Sequence, residues 1–89
     1  MTEQDAARAA LDHLIAEPQP CTMEKAREAM EALVAWRDAL AARRRAGEAV
    51  EADLIRANAA IAFTWSAAIP VTGFKPGRLE KARAMLNGD

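Results

Sequence analysis

The chain has 89 residues and a net charge of −1. Hydrophobic residues make up 52% of the chain, and aromatic residues only 4%. This length suits one small domain over residues 1–89, and a charge near zero gives no general attraction to nucleic acid or to an anionic membrane surface. The single cysteine, Cys21, excludes an intramolecular disulfide and a cysteine-rich zinc site. We also expect no signal peptide, no membrane span and a cytoplasmic location, because no suitable apolar segment is present.

The first predicted helix runs from about Glu3 to Ala16. Thr2 is a suitable N-cap, because its hydroxyl can accept a hydrogen bond from a free amide of the first turn. Pro18 and Pro20 should end this helix, since proline cannot continue one.

The next two helices are long and lie on either side of a glycine. The second is predicted from Thr22, its N-cap, to about Ala46, and the third from Glu48 to Ile69. The break at Gly47 is so short that the two helices should fold back as an antiparallel hairpin. One continuous bent helix through Gly47 is the alternative, since a single glycine costs only about 1 kcal/mol in a helix.

A fourth, short helix is predicted from about Arg78 to Asn87, after a connector at residues 71–77 that contains glycine and proline. Alanine, the best helix former, dominates the apolar residues throughout. The sequence therefore predicts an all-α fold, a small bundle of about four helices built on the long antiparallel hairpin.

The second helix is amphipathic, with Trp36 and Ala29 at the edge of its apolar stripe. Arg37 and Arg44 lie within that stripe. Arg44 can lean out at the helix end, and Arg37 either reaches solvent or an acid, or awaits the carboxylate of a partner. The members of the stripe are Met23, Ala26, Met30, Leu33, Leu40 and Ala41.

The third helix is apolar on every side after Arg56. Its larger residues predict a buried seam that includes Trp65, with Asn58 inside it to fix helix pairing by a hydrogen bond. Trp65 should be better buried than Trp36, and Trp65→Ala should cost about 3–5 kcal/mol. The opposite side, rich in alanine and carrying Phe63, should be covered either by the first and fourth helices or by another chain. The predicted seam is Val50, Leu54, Ala57, Ile61, Trp65 and Ala68, widened by Ile55, Ala62 and Ile69.

No group of residues indicates catalysis. His13 is the only histidine and Ser66 the only serine, and neither has a suitable partner nearby in the sequence. Cys21 has no basic neighbour that would activate its thiol. We therefore expect a protein that is not an enzyme and that holds no cofactor and no metal ion.

Two basic clusters remain as candidate binding features. Arg43, Arg44 and Arg45 end the second helix, and four further cations surround the fourth helix: Lys75, Arg78, Lys81 and Arg83. Each cluster is also typical of a helix end matched to the helix dipole, or of a solvated face.

The leading hypothesis is a protein-interaction module, an adaptor, inhibitor or regulator of the kind that phages and mobile elements encode, which docks on a larger protein. Arginine and aromatic side chains dominate such contacts. The first alternative is a nucleic-acid-binding protein that uses Arg43–Arg45 and the Lys75–Arg83 face, and the second is a homo-oligomeric helix bundle such as a homodimer. The candidate contact residues are Arg37, Arg43, Arg44, Arg45, Phe63, Phe74, Lys75 and Arg78.

Overall fold

A computed structural model describes residues 2–17, 22–68 and 76–88. These ranges form four helices and contain no strand: α1 (Glu3–Ala16), α2 (Met23–Arg45), α3 (Glu51–Ala68) and α4 (Pro76–Asn87). The expected all-α fold with four helices is confirmed. The predicted end of the third helix at Ile69 lies outside the described residues.

The four helices pack in a ring. α1 contacts α2 and α4, and α3 contacts the same two helices, while the diagonal pairs do not touch within the described ranges. Gln4, at the start of α1, donates from Nε2 to the carbonyl oxygen of Leu86 near the end of α4, at 3.0 Å. Neighbouring helices therefore run antiparallel, as in an up-and-down bundle.

The start of α1 is fixed by a reciprocal pair of hydrogen bonds. The Asp5 backbone N–H donates to the Thr2 hydroxyl at 3.1 Å, and the Thr2 backbone N–H donates to the Asp5 carboxylate at 3.3 Å. This capping box confirms Thr2 as the N-cap and satisfies two amides that a helix start leaves free. The hydrogen bond from the Thr2 backbone is the main reason why the pKa of Asp5 lies below its ordinary value.

The turn between α2 and α3 is built on Gly47, whose φ of +96° lies in the left-handed region that glycine adopts without strain. The backbone N–H of Gly47 donates to the carbonyl oxygen of Arg44 at 3.0 Å, and that of Glu48 donates to the carbonyl oxygen of Arg43 at 3.0 Å. These two bonds form a Schellman cap, which ends α2 and reverses the chain. The predicted hairpin at Gly47 is confirmed, but the predicted helix start at Glu48 is wrong, because the Glu48 amide belongs to the cap of α2.

The buried face of α2 is rotated about the helix axis relative to the predicted apolar stripe. Trp36, placed at the edge by the sequence, is only 3% exposed, whereas Met23 is 52% exposed. α2 packs between α1 and α3, and so buries the line of residues that lies between both neighbours. That line is Ala26, Ala29, Leu33, Trp36 and Leu40.

The core face of α3 is likewise different from the predicted seam. Trp65 is 54% exposed and Asn58 is exposed, so the predictions that Trp65 is buried and that Asn58 lies in a buried seam are wrong. Small side chains lie inside instead, because α4 packs on the alanine-rich side of α3. Of the first alternative for that side, the cover by the fourth helix is therefore confirmed at the centre of the side, but the cover by the first helix is wrong, because α1 does not contact α3 within the described ranges. The buried residues of α3 are Ala57, Ala60, Thr64 and Ala67.

Candidate protein-interaction site

Three large apolar side chains are exposed among the described residues, and all three lie on the α2/α3 hairpin. Met23 is 52% exposed, Ile55 69% and Trp65 54%. Isolated apolar residues on a surface are common, but a group on one face indicates an interaction site.

These side chains belong to two parallel lines of residues, one on each helix, that border the junction of α2 and α3 on the outside of the bundle. In both lines the residues are spaced alternately by four and three positions, which keeps them on one side of a helix. We call this surface the outer groove. Clefts between the two helices mark its two ends. On α2 it consists of Met23, Arg27, Met30, Val34, Arg37, Ala41 and Arg44, and on α3 of Glu51, Ile55, Asn58, Ala62 and Trp65.

One end of the outer groove forms an apolar cleft of about 230 Å³. The indole of Trp65 lies against the start of α2, because the antiparallel hairpin brings the end of α3 to that position. Flexible methionine side chains adapt to the shape of a contacting group, and tryptophan offers a large contact area. The lining residues are Met23, Ala26, Arg27, Met30 and Trp65.

The opposite end of the outer groove is more polar. A second cleft of about 270 Å³ lies there between Arg44, at the end of α2, and the first turns of α3. Leu54 also lines this cleft, and both Leu54 and Ile61 are half-buried and pack against the core. The charged residues of the two groove lines are Arg27, Arg37, Arg44 and Glu51.

The arginines of the chain differ in whether they have a partner. Most bond to a neighbour: Arg8 to Asp5, Arg37 to Asp38, Arg43 to Glu48, Arg56 to Asp53, Arg78 to Ser66 and Arg83 to Asp12. Arg27, Arg44 and Arg45 have neither an ion pair nor a side-chain hydrogen bond within the described residues. Two of these three, Arg27 and Arg44, line the outer groove.

The structure divides the predicted contact residues between distant places. Arg37 and Arg44 lie on the outer groove, and Arg43 and Arg45 are exposed beside its polar end. Phe63 is half-buried on the α4 side of α3, where the ammonium group of Lys81 lies 5.9 Å from the centre of its ring.

The remaining predicted contacts concern the other end of the bundle. Arg78 donates to the Ser66 hydroxyl at 3.2 Å, next to the end of α3. Phe74 and Lys75 lie outside the described residues, as does Cys21.

Sequence reasoning missed the residues that form the apolar cleft. It assigned Met23, Met30 and Trp65 to the core and Ile55 to the wider seam, although Ile55 is 69% exposed, and it did not single out Arg27. The available signal was the second line on α3, in which residues 51, 55, 58, 62 and 65 follow the same four-and-three spacing as the predicted seam. Large and small side chains occur in both lines, so the spacing alone could not show which one faces solvent.

Within residues 2–17, 22–68 and 76–88, no three acidic, histidine or cysteine side chains are grouped so that they could bind a metal ion. His13 is exposed on α1. None of the helices in these ranges is both long and apolar enough to span a bilayer. The chain matches no protein-family model, no curated protein and no solved structure.

Proposed function

We propose that this chain is a non-enzymatic protein-interaction module, acting as an adaptor, inhibitor or regulator, and that it docks through the outer groove. The observation that carries the proposal is the position of Met23, Ile55 and Trp65, the three large exposed apolar side chains, on this one surface. Contact with a partner would remove their apolar area from water, which stabilises a complex by about 25 cal/mol per Å².

The composition of the groove also supports this function. Tryptophan, methionine and arginine are enriched where proteins bind one another, and lysine is depleted there. The outer groove has all three enriched types and no lysine. Both of its clefts are open to solvent, so side chains of a partner can enter them.

The nucleic-acid alternative has weaker support from the geometry. Arg43–Arg45 lie where α3 begins, whereas Arg78 lies where α3 ends, so the 18 residues of α3 separate the two basic clusters by about 27 Å. Arg83 pairs with Asp12 at 3.8 Å, and Lys81 lies over Phe63. Among the described residues, the two clusters are therefore separate basic patches at opposite ends of α3.

Site-specific photo-crosslinking in the cells that produce this chain tests the proposal. A photoreactive amino acid replaces Trp65 in one variant and Ala42, which is exposed on another side of α2, in the control. We expect a crosslinked product of one defined larger mass from position 65 and none from position 42. The same products from both positions, or no product from either, would contradict the proposal, and a product of twice the chain's mass would favour the homo-oligomer.

A further inference from the structure

We infer that the partner presents an amphipathic helix bearing carboxylates to the outer groove, where Arg27 and Arg44 recognise those carboxylates. This inference rests on the proposed function and specifies the chemistry of the partner. It follows from the shape of the groove, from its apolar end and from the positions of its arginines without partners.

The shape of the groove suits a helix. Two antiparallel helices with residues spaced by four and three positions present ridges into which a third helix can pack its own side chains. An amphipathic helix that lies in such a groove contacts it with residues at positions i, i+3, i+4 and i+7. The exposed line on α3 continues for four turns, from Glu51 to Trp65, so a partner helix of similar length can lie along it.

The apolar end selects a large side chain. The cleft of about 230 Å³ between Met23, Met30 and Trp65 is open to solvent and has Arg27 as its only charged lining residue. A leucine or phenylalanine from the partner would fill it. A carboxylate one turn away on the same helix would then lie within reach of the Arg27 guanidinium.

The charges of the groove select acids over bases. Arg27 and Arg44 have no partner among the described residues, while Arg37 is bonded to Asp38 at 3.1 Å. α3 offers no countercharge along most of the groove, because residues 57–68 carry no charged side chain. The 17 positions between Arg27 and Arg44 correspond to about 26 Å along α2, so the partner needs acidic residues about five turns apart.

A second copy of this chain fits the groove less well. A symmetric contact places the same surface on both sides of the interface, so each copy would bring the unpartnered Arg27 and Arg44 to it. Arg37 is already bonded to Asp38, and Glu51 is the only acidic residue of the two groove lines, so each copy would supply one carboxylate for two guanidinium groups. The charge pattern therefore favours a different protein whose helix is acidic.

Two fluorescently labelled peptides of 25 residues, long enough to reach from Arg27 to Arg44, serve as probes. Both carry leucine at the two core positions of each heptad, and the flanking positions are glutamate in one peptide and lysine in the other. Each is titrated against the full-length wild-type chain by fluorescence anisotropy at low salt. We expect the glutamate peptide to bind at least about tenfold more tightly than the lysine peptide, and to protect Trp65 from acrylamide quenching.

Single substitutions assign the effect to the arginines. Arg27→Gln and Arg44→Gln should each weaken binding of the glutamate peptide about three- to tenfold and reduce its dependence on salt. Lys25→Gln is the matched control, since it removes one positive charge from the same helix outside the groove, and it should change the affinity less than twofold. Circular dichroism checks that each variant retains its helices.

The possible results separate this inference from the proposed function. Equal binding of the two peptides, tighter binding of the lysine peptide, or no binding of either would overturn the acidic helix as the occupant. The crosslinking result at position 65 would still stand in each of those cases. A dimer of the wild-type chain in sedimentation that Trp65→Ser dissociates would also overturn the inference, because a second copy would then occupy the groove.

Discussion

Two outer surfaces of the bundle, the α1/α4 side and the outer groove, differ in the side chains that they expose to solvent. Along the α1/α4 side, polar groups join the two helices: Gln4 bonds to the Leu86 carbonyl, Arg8 to Asn87 at 2.9 Å and Arg83 to Asp12. Along the outer groove, the exposed lines of α2 and α3 form no such bond across the junction within the described residues. The first surface has polar side chains that bond to one another, whereas the second has exposed apolar area and two arginines without a partner among the described residues.

The two tryptophans give the largest test of this difference. Trp36→Ala should destabilise the protein by about 3–5 kcal/mol, because it leaves a cavity in the core. Trp65 is 54% exposed, so Trp65→Ala should cost no more than about 1 kcal/mol, in place of the larger cost expected from the sequence. Urea unfolding followed by circular dichroism measures both. In a domain of this size Trp36→Ala could unfold the chain, so Trp36→Phe and Trp65→Phe provide milder variants.

The fluorescence of these milder variants checks the same assignment. The Trp36→Phe variant retains only Trp65, and its emission should be red-shifted and readily quenched by acrylamide. The Trp65→Phe variant retains only Trp36, and its emission should be blue-shifted and protected. The opposite order of the two spectra would place Trp65 in the core and remove the apolar cleft.

Two alanines of α3 distinguish its inner and outer faces with the same substitution. Ala60 is fully buried, so Ala60→Leu should force α3 away from its neighbours and destabilise the protein by about 1–3 kcal/mol. Ala62 is exposed in the outer groove, so Ala62→Leu should change the stability by about 0.5 kcal/mol or less. Thermal unfolding of both variants gives the comparison, and an equal loss of stability would mean that the groove is packed like the core.

The orientation of α3 shows where sequence reasoning reached its limit. Thr2, Gly47 and the prolines mark helix ends by local chemistry, so the number of helices and the hairpin could be predicted. The burial of α3 depends on where α2 and α4 lie, which no local signal states. A prediction that follows side-chain size chose Leu54, Ile61 and Trp65 as the centre of the seam. The bundle instead buries Ala60 and Ala67, because small side chains allow α4 to pack closely.

The prediction of the candidate site was limited by the same unknown, the orientation of α2 and α3 about their axes. Arg37 and Arg44 were identified from their positions in an apolar stripe, and both lie on the outer groove. Arg27 did not stand out, since a sequence does not show which arginine has an acidic neighbour within 4 Å. Arg27 becomes a candidate only in the structure, because it lines the apolar cleft and, unlike most other arginines, bonds to no neighbour among the described residues.

A smaller effect on stability is expected at the capping box of Thr2 and Asp5, at the start of α1. Asp5→Ala should destabilise the protein near pH 7, since it removes the carboxylate that accepts from the Thr2 amide. The pKa of Asp5 is lowered in the folded state, so this contribution is present above the ordinary pKa of 3.8 and is lost as the pH falls through the folded-state value. Wild type and Asp5→Ala should therefore converge in stability once the pH falls below the folded-state pKa of Asp5, as measured by urea unfolding across pH.

Glu3→Ala is the control for this pH dependence. It removes an acid from the same first turn, but Glu3 forms no hydrogen bond with Thr2. Its effect near pH 7 should be smaller than that of Asp5→Ala. If both variants show the same pH profile, the general attraction of the helix dipole for acids explains the result better than the capping box does.

The smallest effect is expected when Arg43, Arg44 and Arg45 are replaced and nucleic-acid binding is measured. The nucleic-acid alternative requires a large effect in the same experiment. An Arg43/Arg44/Arg45→Ala variant and the wild type are each titrated with random-sequence DNA and RNA at low salt. If the chain bound nucleic acid, each lost phosphate contact would flatten the dependence of the logarithm of the binding constant on the logarithm of salt by about one unit. We expect no binding by either protein, because Arg43 pairs with Glu48 and the other basic cluster lies a helix length away. Micromolar binding by wild type that the variant loses would reverse the order of the two functions. It would also assign Arg44 to phosphate, leaving Arg27 and the apolar cleft without a role in recognition.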